Sequence, residues 1–152
     1  MTSVVVEDRQ AIDSEVAHLK SNQVLEALRP GLELRGFAVE KTGGKLQRPV
    51  LFGDEGGAVK SFSVDAFRST DGIAVEVESG GAVYNNRILL DMVKFSLGAD
   101  VIRGAILLPV KYATPERSWE DPYPAGLKLF DAIFSNPERF RLPLDGLLLI
   151  GY

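Results

Sequence analysis

The sequence predicts an α/β fold in which one mixed β-sheet carries helices on both faces. Three observations carry that expectation. Residues 73–79, Ile73-Ala-Val-Glu-Val-Glu-Ser79, alternate strictly, which is the period-two signature of a strand. Residues 101–110 are largely apolar on both faces, as suits a strand covered on both sides. Helical three-to-four spacing recurs before, between and after these runs, so hairpin-like strands are followed by strand–helix–strand units.

Taken in order, residues 8–28 read as helical, with Ile12, Val16 and Leu19 and then Val24, Leu25 and Leu28 on one stripe. Ser21-Asn22 suits the cap of a second helix, and Pro30-Gly31 its stop. Residues 36–41 form a first strand with Phe37 and Val39 on one side, 42–45 a turn, and 48–52 a short strand ended by the glycine-rich run 53–57. Residues 59–67 form a strand with Phe62, Val64 and Ala66 facing one way and Ser61, Ser63 and Asp65 the other. After a turn at 70–72, the strand from Ile73 places Ile73, Val75 and Val77 on one face and Ala74, Glu76 and Glu78 on the other, and Gly80-Gly81 ends it. A helix over 84–97 carries Ile88, Leu89, Met92, Val93 and Phe95, with Asn85 and Asn86 able to cap it and Gly98 at its C-terminal end. Residues 101–110 are a central strand, 113–124 a loop containing Trp119, 125–134 a short helix and 144–150 a last apolar strand.

Composition narrows the function classes. The 152 residues are 45% hydrophobic and 25% charged, which fits a single domain over 1–152 with a core of its own. There is no cysteine and one histidine, His18, so thiol chemistry and multi-histidine metal centres are excluded. Any metal must sit on oxygen ligands. The net charge of −4 and pI of 5.1 lack the bulk basic signature of a nucleic-acid binder, for which a pI above ~9 is typical. A DNA enzyme with its cations on one face remains compatible. No apolar run approaches the ~20 residues of a membrane span, and the N-terminus reads as no secretory signal, so the expected compartment is the cytoplasm.

The chemistry-bearing pattern is D-x10-E-x-E: Asp65, then Glu76 and Glu78. The two glutamates leave one face of their strand. If the flanking strands pair through the turn at Asp71-Gly72, Asp65 lies close to them. Three carboxylates crowd together cheaply only around a cation, and Mg²⁺, a hard ion, fits such oxygen donors. A second reading stands beside this one, because an E-V-E alternation is also what the wet face of a half-exposed strand looks like.

An aspartate at one strand's end, E-x-E on the next, then a helix from Asn85-Asn86-Arg87 through Asp91-Met92-Val93-Lys94 and a hydrophobic strand resembles the core of the PD-(D/E)xK nucleases. Within that superfamily it is similar to the branch of type II restriction endonucleases containing the BglII and BamHI enzymes, in which Glu or Gln replaces the terminal lysine. The resemblance spans roughly residues 36–112. It implies a restriction-endonuclease-like fold and hydrolysis of double-stranded DNA that depends on Mg²⁺, with Mn²⁺ as a substitute. It implies Asp65 and Glu76 as metal ligands, Glu78 in the lysine position acting on the water, a homodimer, and no membrane partner.

Lys60, Arg87 and Lys94 are candidate phosphate contacts; each also reads as an ordinary solvated side chain. Trp119 suits either a partner contact or a core edge. The alternative to an active endonuclease is a catalytically inactive nuclease-fold binding or interaction protein. A third reading is an α/β module unrelated to nucleic acid.

Overall fold

The computed structural model describes residues 5–6, 9–14, 19–41, 43–114 and 117–152. Its elements are α1 (Arg9–Ile12), α2 (Ser21–Leu34), β1 (Ala38–Val39), β2 (Leu46–Phe52), β3 (Ala58–Val64), β4 (Ala66–Arg68), β5 (Ile73–Val77), α3 (Arg87–Leu97), β6 (Arg103–Leu108), β7 (Tyr112–Thr114), β8 (Arg117–Glu120), α4 (Pro122–Phe134) and β9 (Gly146–Gly151).

The central sheet has the order β1-β4-β5-β6-β9. Its first half is antiparallel, with Ala66 opposite Val75 and Phe67 opposite Ala74. Its second half is parallel, β5 to β6 and β6 to β9. The alternation of β5 is realised as two apolar layers. Val75 and Val77 join Ala105, Leu107 and Ile150 under Leu25, Leu28 and Leu32 of α2. Ala74 joins Phe67, Ile106 and Leu108 under Ile88, Met92 and Phe95 of α3, with Leu129 and Phe130 of α4 packed alongside. The sheet is therefore mixed and carries helices on both faces, as expected from the sequence. In β6 every residue from Gly104 to Leu108 is buried, the pattern of a parallel strand between two layers. A Cβ on Gly104 would stand 2.3 Å from the Phe95 ring, so glycine is what lets α3 close on the sheet.

Several expectations are corrected. Helix α2 does not stop at Pro30-Gly31 but runs to Leu34 with Pro30 inside it. Its end is set by Gly36 at φ +80°, where Phe37 N–H donates to Leu32 O and Gly36 N–H to Glu33 O. This is the paired pattern of a Schellman cap, with Phe37 and Leu32 in one apolar layer. The single strand expected over 59–67 breaks at Asp65. Strand β3 pairs with β2 in a separate two-stranded arm, and β4 pairs with β1 and β5. Val64 and Phe67 fall in one layer and Ala66 in the other, so the alternation slips there. Helix α3 begins at Arg87, later than expected, and Asn86 caps it through a left-handed backbone (φ 57°), not through its side chain. The loop expected over 113–124 contains the β7–β8 hairpin, and α4 starts at Pro122 because proline is pre-set for a first helical turn. His18 and the Trp119 side chain lie outside the described residues.

Arg48 fastens the base of the arm. Its Nη1 is 2.8 Å from Asp100 Oδ2 and its guanidinium lies over the Phe67 ring. Beyond that point the arm projects Leu51, Phe52, Val59 and Lys60 into solvent.

Candidate functional site

The candidate site forms where the arm meets the central sheet. Asp65 is the joint: its N–H donates to Val75 O and its carbonyl accepts from Glu40 N–H. Bulge-like joints of this kind re-aim a side chain. Asp65 Oδ2 accepts the N–H of Val77 at 2.7 Å, which fixes the carboxyl against β5 at the residue between Glu76 and Glu78. Glu78 stays in the ladder through its N–H to Leu107 O, and its carbonyl accepts the Tyr152 hydroxyl at 2.7 Å. Tyr152 is in turn held at its carbonyl by Ser14.

Helix α3 closes the site from above. Glu76, only 5% exposed, points at α3, and its Oε1 lies 2.7 Å from Lys94 Nζ. The same ammonium lies 2.7 Å from Asp91 Oδ1. Asp91 is 1% exposed and its Oδ2 has no hydrogen-bond partner. Glu78 and Asp91 face one another as carboxyls; a proton between them would join them, while two ionised groups leave Asp91 Oδ2 without a donor. Arg87 stands at the rim, with Nη1 3.5 Å from Glu78 Oε2.

The electrostatics follow from burial and crowding. Desolvation pushes Asp65 up to about 6, with Glu40 and Asp91 adding repulsion and the Val77 N–H opposing. Desolvation, then the negative charge of Asp91, pushes Glu78 up to about 7. Glu76 is raised by burial and by the charges of Asp65 and Asp91, and burial likewise raises Asp91. Burial alone would lower Lys94, but Glu76 and Asp91 hold it above the usual lysine value.

The structure thus gathers Asp65, Glu76, Glu78 and Lys94 and leaves Lys60 apart, exposed on the arm with its ammonium 5.8 Å from the Phe62 ring. Lys94 is not on a wet helix face: its side chain is 15% exposed. Sequence reasoning assigned no role to Asp91. The signal was present, because an acid between Ile88 and Phe95 sits in the middle of the apolar stripe of α3.

Chemically, the cluster offers hard oxygen donors and a carboxyl that is half-ionised near neutrality, as a general base requires. The donor set is of the chemical kind a divalent cation takes. Among the described residues, however, no three carboxylates close on one point tightly enough to hold an ion. The cation that joins Glu76 to Asp91 is the Lys94 ammonium. An apolar cavity of about 360 Å³, lined by Phe130, Phe134, Phe140 and Leu147, lies on another part of the molecule and contains none of this chemistry.

Over residues 1–152 the sequence matches the protein family described as "Putative halobacteria restriction endonuclease". A mixed sheet with helices on both faces and an acidic cluster at a strand end defines the class, an α/β nuclease-like fold. The chain belongs to that restriction endonuclease family. Membership points to nuclease activity within a restriction system, with DNA as partner. No curated protein matches the chain. No helix among the described residues is long and apolar enough to cross a membrane.

Proposed function

We propose that the protein is a Mg²⁺-dependent endonuclease of the PD-(D/E)xK type, similar to the BglII and BamHI branch, cutting double-stranded DNA. The observation that supports this reading is the seating of Asp65 on the N–H of Val77, the residue between Glu76 and Glu78 in β5. Asp65 and Glu76 would hold the ion, which when bound polarises the phosphodiester as a Lewis acid. Glu78 takes the proton from the attacking water, for which its position near pH 7 is suited. Arg87 at the rim and Lys60 on the arm meet backbone phosphates, and the exposed two-stranded arm has the shape that a DNA groove admits. Two copies related by a two-fold axis would cut both strands of a symmetric site. The open edge at β9, with Leu148 43% exposed, offers a surface for that pairing, which light scattering on the purified protein tests.

The experiment is cleavage of plasmid DNA with Mg²⁺ or Mn²⁺. Wild type should cut. Glu76→Gln and Glu78→Gln should each lose at least ~10²-fold in rate, with circular dichroism unchanged. A second reading, a catalytically inactive nuclease-fold binding protein, is favoured by the Lys94 ammonium already neutralising Glu76 and Asp91. DNA binding without cleavage under either metal, and a melting temperature that neither metal moves, would select it.

A further inference from the structure

We propose that Tyr152 is a positioning residue for Glu78: its hydroxyl holds the Glu78 carbonyl at the step where the β5–β6 ladder lacks a backbone donor. The inference rests on the reading of Glu78 as general base above and deepens it by naming what fixes that base. The register of β5 and β6 pairs Val77 with Leu107, so Glu78 falls opposite Leu108. In a parallel ladder such a residue donates to the carbonyl one position before its partner and accepts from the N–H one position after it. The first bond is made, from Glu78 N–H to Leu107 O at 2.9 Å. The second would come from residue 109, which is proline and has no N–H to give. The Tyr152 hydroxyl fills that gap, donating to Glu78 O at 2.7 Å.

Tyr152 is built into the sheet at the level of the missing donor. Strand β9 pairs Gly151 with Leu108, which sets Tyr152 opposite Pro109. Its N–H donates to Leu108 O at 2.9 Å and its carbonyl accepts from Val110 N–H at 2.7 Å, so it grips the residues on either side of the proline. Its buried side chain crosses β6 to reach β5. Ser14, also buried, clamps the other end. The serine hydroxyl donates to Tyr152 O at 2.6 Å and accepts the N–H groups of Val110 and Lys111. Glu78 needs such a hold. It lies one residue past β5, and the chain then leaves the sheet through Ser79, Gly80 and Gly81, the last at φ +83°. The Glu78 carboxyl is aimed by the backbone that carries it, and a general base works only within hydrogen-bond reach of its proton. An N–H at residue 109 would satisfy the carbonyl within β5 and β6 alone. The phenol makes the aim of Glu78 depend on β9 and on Ser14 as well.

The test combines Tyr152→Phe, which removes only the hydroxyl, with Pro109→Ala, which supplies the backbone N–H. Two quantities are read: hydrogen exchange of the Glu78 amide by NMR, without metal or DNA, and plasmid cleavage with Mg²⁺. Tyr152→Phe should speed exchange of the Glu78 amide several-fold and lower kcat about tenfold at unchanged KM. Adding Pro109→Ala should bring both back to within about twofold of wild type, a rescue that a merely structural loss of the hydroxyl does not show. If wild type cuts but Tyr152→Phe leaves either quantity at its wild-type value, if the loss falls on KM, or if the double variant is no better than Tyr152→Phe, the positioning role is overturned and the endonuclease reading stands. If wild type does not cut, the endonuclease reading falls and takes the positioning role with it. Should Tyr152→Phe alone not fold, the double variant decides: folded and active it supports the proposal, unfolded or inactive it overturns it.

Discussion

Helices α2 and α3 cover opposite faces of the sheet with similar apolar side chains. Val24, Leu28 and Leu32 lie on one side and Ile88, Met92 and Phe95 on the other, all essentially inaccessible. Helix α2 turns its part-buried Arg29 to the carbonyls of Val39 and Glu40, whereas α3 carries Asp91 and Lys94 inward, where they meet Glu76 from β5. Burying charge costs stability unless each group is paired and hydrogen-bonded, and the α3 layer leaves one oxygen orphaned. The α3 face also holds a buried acidic cluster, a kind of group whose replacement by apolar side chains of similar volume is often stabilising.

The largest effect expected on the apolar side is that of Leu28→Ala. It removes a fully buried side chain from a layer without charges and should cost about 2–5 kcal/mol in chemical denaturation. A loss below about 1 kcal/mol would break the comparison by showing that the α2 face is not closely packed.

The next effect belongs to the charged side. The folded values of Asp65 and Glu78, about 6 and about 7, lie above their ordinary values. The native state therefore holds protons that the unfolded chain releases. The resulting stability is present in full below about pH 4 and is lost as pH rises through about 6 and about 7. In metal-free protein Glu78→Gln should flatten the fall in melting temperature between about pH 4 and 7, and Leu28→Ala should leave that slope unchanged. An identical pH profile in wild type and Glu78→Gln would overturn the assignment of strain to this face.

The smallest effect returns to α2. Gly36→Ala has space, its nearest neighbour being Arg68 Cδ at 3.9 Å, but must hold φ +80°. The cost should be about 1 kcal/mol, read as a lowered denaturation midpoint.

Much of this was legible in the chain. The alternation of residues 73–77 assigned Val75 and Val77 to one layer and Glu76 to the other, and the apolar run after 101 marked an interior strand. The stop of α2 was also written locally, in Gly36, but Pro30-Gly31 looked like the stronger signal. Helix α2 continues through it because burial of Leu28 and Leu32 outweighs the missing N–H of proline. The β7–β8 hairpin was hidden because both strands are short and flank a proline.

By itself the sequence determined the periodicities: which residues of β5 and α3 share a face, and hence that Glu76 and Glu78 lie together and that Asp91 lies on an apolar stripe. Those are properties of a repeat along one element, set by two residues per strand period and 3.6 per helical turn. Only the tertiary structure decided that the chain breaks at Asp65 to pass from the arm into the sheet. It also decided that α3 lies across β5 with Lys94 Nζ between Glu76 and Asp91. Both depend on pairings between segments far apart in the chain, where the energy of a layer as a whole, and not local preference, selects the arrangement.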